Sequence, residues 1–215
     1  MLGRTLLALS ACAAAAVAQV PGAPVLQNAW ANPGLAVAAN FGGGSGQSFY
    51  GLAGAMGFGG GKMQLSAAAG ANNANGSTRG AYGARAAMSV WSSSGGALGV
   101  GAFAGLGGAP RTRSNNVVNN AAILNVPVGA TVGYRRSLGS RGFSAYASPF
   151  YRWARSDNGT VASTGSMRVS LGADFAVTSS IGVTVGGELG GSSGRAGSKS
   201  SGLFGAAVSF VPGGR

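Results

Sequence analysis

Two carboxylates are the residues of this sequence best suited to chemistry. Asp174 and Glu188 occupy neighbouring segments and the same alternating face. A facing pair of carboxyl groups can act as acid and base in glycoside hydrolysis. Arginines on that face can instead neutralise them, because isolated charges are costly in a confined interior. We predict this second arrangement, and a carboxylate-based hydrolase is the alternative. The predicted charge ladder consists of Arg85, Arg135, Arg152, Arg168, Asp174 and Glu188.

Other catalytic and metal-binding chemistry has little support in the sequence. The chain contains 0 histidines and 1 cysteine, Cys12, so nucleophilic triads and most transition-metal sites are excluded. The pair Gly61-Lys62 precedes Met63 instead of the serine or threonine of a phosphate-binding loop. We therefore expect no catalytic residue, no cofactor and no metal, and we expect that the protein is not an enzyme.

The N-terminus has the features of an export signal. Arg4 precedes an apolar run at 6–17, and Ala16-Val17-Ala18 supplies the small residues required for cleavage before Gln19. A lipoprotein signal at Cys12 is less suitable, since the apolar stretch before it is too short. We predict a signal peptide at 1–18 and a short periplasmic segment at 19–33.

The glycine content and the alternation of polar and apolar residues both favour β-structure. The 42 glycines oppose helix formation throughout the mature chain. In residues 167–178, Met167, Val169 and Leu171 begin one apolar face, while polar residues occupy the other. The alternation resumes at 181–190 after a short break, which predicts a hairpin with one apolar and one polar face.

This pattern extends to ten predicted strands and suggests a closed barrel. The strands are expected near 34–41, 48–58, 62–70, 80–91, 97–106, 121–136, 142–153, 166–178, 181–190 and 202–210. Short connections alternate with longer polar ones at 71–79, 107–120, 154–165 and 191–201, as in transmembrane barrels. The predicted fold is an all-β, antiparallel, up-and-down transmembrane barrel over 34–210, with eight strands as the alternative and a C-terminal extension at 211–215.

The two faces of the strands decide between a membrane barrel and a soluble protein. Alternation alone also fits a secreted β-sandwich. Large aliphatic residues are too few for a soluble core of this size, and aromatic residues cluster near predicted strand ends. These aromatics are Phe58, Tyr134, Phe143, Trp153 and Phe210. Pro127 and Pro149 remove ladder donors, so we expect a bulge or a strand end at each.

The last predicted strand carries a family resemblance. Gly205, Val208 and Phe210 resemble the C-terminal assembly signal of small bacterial outer-membrane β-barrel proteins, although Leu203 replaces the usual polar residue and 211–215 extend past the aromatic. The resemblance implies insertion by the barrel assembly machinery into outer-membrane lipid. We expect a structural or weakly pore-forming monomer whose bore is largely filled by its own charges and favours anions.

Six basic residues are expected in the long outer loops. The formal net charge is +12, but the bases are scattered singly, so nucleic acid is not an expected partner. A basic outer rim suits the phosphates of lipopolysaccharide, and a merely solvated surface explains it equally well. The expected basic loop residues are Arg79, Arg111, Arg113, Arg155, Arg195 and Lys199.

Overall fold

The computed structural model describes residues 23, 26, 28–30, 34–44, 46–74, 76–114, 117–138, 141–190 and 201–212. The predicted signal peptide at 1–18 lies outside these residues. No helix among the described residues is long and apolar enough to cross a membrane.

The described chain is organised almost entirely in strands. In chain order they are β1 (Gly34–Gly44), β2 (Gln47–Phe58), β3 (Met63–Ala74), β4 (Ser77–Ser92), β5 (Leu98–Ala109), β6 (Thr112–Ser114), β7 (Val117–Asn120), β8 (Ala122–Leu138), β9 (Arg141–Asp157), β10 (Val161–Ala176), β11 (Ile181–Gly190) and β12 (Ser201–Phe210).

Ten of the described strands form one closed antiparallel barrel. Each of β1–β5 and β8–β12 pairs with its neighbour, and β1 pairs with β12 from Val37↔Phe210 to Gly43↔Phe204. The prediction of ten strands is confirmed, and the eight-strand alternative is wrong because β1 and β2 belong to the barrel. The β-sandwich alternative is also wrong, since this sheet closes on itself. Strands β6 and β7 form a separate hairpin in the connection between β5 and β8.

The barrel has two distinct ends. At the terminal end β1 begins and β12 finishes, whereas the loop end carries the connection at 110–121. Described turns at the terminal end lie at 59–62, 93–97 and 177–180. In the first of these, Gly59, Gly60 and Gly61 have φ angles of 61°, 66° and 85°, a conformation that favours glycine.

The predicted long loops at 71–79 and 154–165 are wrong. Strands β3 and β4 are joined by 75–76 alone, and β9 and β10 by 158–160. Gly76 has a φ of 71°, as expected for the second residue of an Asn-Gly hairpin turn. The polar side chains that suggested loops continue the ladder instead, and Asn73 Nδ2 donates to Thr78 Oγ1 across it at 3.1 Å. The polar residues at 71–74 and 77–79 therefore belong to strands that continue to the loop end of the barrel.

The two prolines lie inside strands, contrary to the expected bulge or strand end. The β5–β8 pairing omits Pro127 and resumes in the same register, with Ala104↔Val128 and Gly107↔Asn125 on either side. Opposite Pro149 the β8–β9 ladder has a similar gap between Gly129↔Phe150 and Val132↔Ala147. Each proline lacks an amide hydrogen, so the pairing with one neighbouring strand is interrupted beside it. The register on either side of the interruption is unchanged.

Candidate functional site

Glu188 is the centre of the charged cluster nearer the loop end of the bore. Its carboxylate is fully buried and accepts a charge-assisted hydrogen bond from Arg168 Nε. Arg152 Nη1 lies 3.5 Å from Glu188 Oε1, and Arg168 also donates to the Gly190 carbonyl oxygen at 3.3 Å. One buried acid is thus shared by two arginines, which is the arrangement that makes a buried charge tolerable.

Asp174 belongs to a different cluster near the terminal end. It is buried and has three hydroxyl or amide donors: Thr184 Oγ1 at 2.6 Å, Asn28 Nδ2 at 2.7 Å and Ser144 Oγ at 3.0 Å. The sequence suggested an arginine partner for this acid. Its described hydrogen bonds come from neutral groups, including Asn28 of the segment before the barrel.

The separation of the two acids argues against their joint action. Glu188 of β11 pairs with Ser170 of β10, and Asp174 lies on β10 four residues after Ser170. At a rise of about 3.3 Å per residue, their levels are about 13 Å apart. Glycosidase carboxyl pairs are separated by about 5–9.5 Å. The geometry therefore gives no support to the carboxylate-hydrolase alternative.

Arg85 is a buried cation with an incomplete set of hydrogen bonds. It is 3% exposed, and its Nη2 donates to the Leu26 carbonyl oxygen at 3.1 Å. Its guanidinium carbon lies 5.3 Å from the centre of the Phe103 ring. Its Nε and Nη1 have no hydrogen-bond partner among the described residues. The chain has 3 acidic residues, all described, and none forms an ion pair with Arg85.

The segment before β1 supplies much of the material that fills the bore. The described residues of 19–33, the predicted short periplasmic segment, lie within the bore. Ala23, Leu26 and Ala29 are each 2% exposed or less, and Trp30 is 8% exposed. The Ala29 carbonyl oxygen accepts a hydrogen bond from Ser89 Oγ at 3.2 Å. We call Ala23, Leu26, Asn28, Ala29 and Trp30 the plug residues.

The plug residues extend along much of the bore. Ala23 packs in a cluster with Phe49 and Ala81, both near the loop end. Trp30 lies at the terminal end, where its ring is 4.7 Å from the guanidinium carbon of Arg135. Arg135 Nε also donates to the Gly96 carbonyl oxygen at 2.8 Å. At these described positions the bore is therefore filled by backbone and side chains together, and not by charged side chains alone.

Glycines in the wall make room for the plug residues. A Cβ at Gly99 or Gly133 would lie 2.7 Å from the Trp30 ring, and one at Gly186 would lie 2.7 Å from Leu26 Cδ2. A Cβ at Gly101 would be 3.1 Å from the Ala29 carbonyl oxygen. These separations leave too little space for an ordinary side chain. The wall thus has gaps that match the shape of the segment.

The outer face of the barrel is apolar, with an aromatic belt near each end. The belt residues point outward and most are about half exposed. Near the terminal end the belt consists of Phe58, Trp91, Tyr134, Phe143, Phe175 and Phe210; near the loop end it consists of Phe41, Tyr50, Tyr82, Tyr151, Trp153 and Phe204.

The spacing of the belts matches a bilayer. Phe143 and Trp153 lie on the same face of β9 as the exposed Tyr151, which is the outer face. A rise of about 3.3 Å per residue and a tilt of about 40° place them roughly 25 Å apart along the barrel axis. Arg155 lies outward beyond one belt and Arg136 beyond the other, so exposed charges flank the apolar band. This distribution reverses that of a soluble protein.

The chain has the fold of a transmembrane β-barrel. Several solved structures are similar to this chain. Neisserial surface protein A is 14% identical, with 82% of this chain and 94% of that chain covered and a TM-score of 0.38. The N-terminal barrel domain of Pseudomonas aeruginosa OprF is 8% identical, with 82% and 96% covered and a TM-score of 0.34. A loop-deletion mutant of Vibrio cholerae OmpT is 16% identical, with 76% and 53% covered and a TM-score of 0.33. No protein-family model and no curated protein matches the sequence.

Arg79 is not a loop residue of this barrel. It belongs to β4, points into the bore and is 5% exposed. Its Nε donates to Asn72 Oδ1 at 3.4 Å, and its Nη1 donates to the carbonyl oxygens of Pro110 and Ala121. It was predicted in a loop because its neighbours are polar, but these polar groups line the interior. Arg79 thus contacts both ends of the 110–121 connection from the interior of the barrel.

The remaining basic residues of the predicted loops have separate surroundings. Arg111 lies in the 110–121 connection and forms an ion pair with Asp157. The pKa of the Asp157 carboxyl lies below its usual range, because the Gly159 amide donates to it and Arg111 stands beside it. Arg155 is exposed on β9, and Arg113 belongs to β6. Arg195 and Lys199 lie outside the described residues.

The three residues of the predicted assembly signal lie in β12. Val208 and Phe210 point outward and are 49% and 48% exposed, whereas Gly205 pairs with Gly42 of β1 and Gly186 of β11. Leu203, noted as a departure from the pattern, points into the bore and is buried. The last strand thus has an apolar outer face and contributes to both of its ladders.

Proposed function

We propose that this chain is an outer-membrane β-barrel with a structural role in the cell envelope and no enzymatic activity. The observation that carries the proposal is the apolar outer face, which lies between two aromatic belts roughly 25 Å apart. The export signal at 1–18, cleavage before Gln19 and insertion by the barrel assembly machinery belong to the same proposal. We further propose that the barrel is monomeric, and that it is closed at rest because the plug residues fill the bore.

The proposal predicts a heat-dependent change on a denaturing gel. Unboiled protein should migrate as a compact form and boiled protein as an unfolded form, because closed barrels of paired strands resist detergent until heated. The compact form should occur in the outer-membrane fraction. A protein recovered only from the soluble periplasmic fraction, with one gel position at all temperatures, would contradict the membrane role.

Lipopolysaccharide is the proposed partner at the loop end. Arg155 points outward beyond Trp153 and is exposed, which suits contact with phosphates at the membrane surface. Arg111 is less available, because it is paired with Asp157.

Arg155→Glu should reduce the lipopolysaccharide that stays with the barrel during mild detergent extraction, because a carboxylate would repel its phosphates. The retained lipid can be measured on a stained gel. Arg136→Glu is the matched control, since Arg136 is also outward and exposed but lies beyond the opposite belt. Equal retention by the wild type and both variants would leave Arg155 with only a solvated role.

A further inference from the structure

The plug residues satisfy charged groups of the wall that otherwise depend on water. The Leu26 carbonyl oxygen accepts from Arg85, the Trp30 ring lies over Arg135, and Asn28 donates to Asp174. Without the plug residues, Arg85 would lose its one described hydrogen-bond acceptor. Asp174 would keep Ser144 and Thr184 as donors. Removal of the plug residues would therefore take more partners from Arg85 and Arg135 than from Asp174.

The wall behind the plug is lined with small side chains. The inward positions of β1–β4 include Ala36, Ala38, Ala53, Ala55, Ala68 and Ala81, all of them buried. Side chains can just fill a barrel of eight strands, and ten strands enclose somewhat more space. Here the extra space is taken by the plug residues. We expect their removal to open a water-filled path along this alanine-lined part of the wall.

The charges on that path favour anions. Arg85 forms no ion pair, and Arg135 stacks on a ring that would have left. Glu188 would still be neutralised by Arg168. Rings or clusters of bases that face a pore select anions.

We propose that the plug residues block the bore, and that the bore without them conducts small inorganic anions past Arg85. This inference rests on the proposed membrane role of the barrel. The Leu26 carbonyl oxygen occupies the position beside Arg85 that an anion would take. When the plug residues are displaced, water and the passing anion replace that oxygen. The plug residues therefore both block the bore and serve as the partner of the selecting cation.

The test displaces the plug by a change in the wall. Gly133→Leu places a side chain where the Trp30 ring lies, and a strand accepts leucine. Gly54→Leu is the matched control, because a Cβ there meets nothing within 4 Å. In planar bilayers with a potassium chloride gradient, the wild type and Gly54→Leu should stay near baseline. Gly133→Leu should show resolved conductance steps, with the reversal potential shifted toward that of chloride.

A second substitution tests the selecting residue. Gly133→Leu combined with Arg85→Gln should still conduct but should lose the shift of the reversal potential toward chloride. An inserted Gly133→Leu barrel that stays closed would overturn the plug. A cation-selective open form, or an unchanged selectivity after Arg85→Gln, would overturn the assignment of Arg85.

Two further measurements separate failure of the plug from failure of the membrane role. If Gly133→Leu does not give a heat-modifiable form, Leu26→Ala with Trp30→Ala loosens the segment while the wall is unchanged, and the same opening is expected. In a Cys12→Ala background, Leu26→Cys should react slowly with a water-soluble maleimide and quickly once Gly133→Leu is added. Fast labelling in both would overturn the plug, whereas a wild type without a heat-modifiable form would contradict the membrane role itself.

Discussion

Glu188→Ala should lower the free energy of unfolding of the barrel by about 3–5 kcal/mol, the usual cost of breaking a buried ion pair. The carboxylate is fully buried, and its removal leaves Arg168, which is 4% exposed, without its acid. Arg152 should suffer less because its side chain is 22% exposed. Urea unfolding in detergent micelles, followed by the gel shift, measures the change.

A double variant provides the control for Glu188. Arg168→Met with Glu188→Leu removes both charges and keeps similar volumes, so its stability should lie closer to the wild type than that of Glu188→Ala. A loss below about 1 kcal/mol for Glu188→Ala would match an exposed pair and would contradict the buried cluster.

Leu171→Arg should destabilise the barrel by about 2–4 kcal/mol, because it places a charge on the lipid face near the middle of the bilayer. Leu171 is 49% exposed on β10 and pairs with Ala147, which lies between the two belts. Val161→Arg is the matched control on the same strand and face. Val161 is 51% exposed, lies beyond the belt near the loop end and pairs with Asp157, so the cost of its substitution should be about 0–1 kcal/mol.

The comparison should be made in lipid vesicles, where the apolar band is in contact with acyl chains. Equal losses for Leu171→Arg and Val161→Arg would mean that the band does not correspond to a bilayer. Substitutions at Ser170 or Thr184 are not suitable milder controls, although the sequence alone suggests them as bore-facing positions. Both residues are buried against charged clusters, so a large side chain there would overpack the interior.

The strands and their faces could be predicted because both depend on local alternation. Residues such as Leu171 and Val185 repeat with a period of two, and this period follows directly from strand geometry. The inward positions of Arg85, Arg168 and Glu188 follow from the same rule. The pairing of Asp174 could not be predicted in this way, because its donor Asn28 comes from a segment with no periodicity of its own.

The sequence does not predict the plug, because the residues that form it and the glycines that accommodate it lie in distant parts of the chain. Gly99, Gly133 and Gly186 look like ordinary strand glycines, and only the closed barrel brings them to Trp30 and Leu26. Arg79 was placed wrongly for a related reason. Polar residues near a strand end predict a loop in most proteins, but in this barrel they also line the bore.

The seam between β1 and β12 also constrains the order in which the molecule is built. Val37 and Phe210 come from opposite ends of the barrel sequence, so their pairing has the largest loop-closure cost of any ladder unless the intervening hairpins form first. The plug residues precede β1 in the chain and contact strands around the barrel, including β2, β4, β8, β9 and β10. They must therefore be enclosed while the sheet is still an open, curling ribbon, or thread through the terminal mouth afterwards. Final closure and the filling of the interior are thus linked steps of biogenesis.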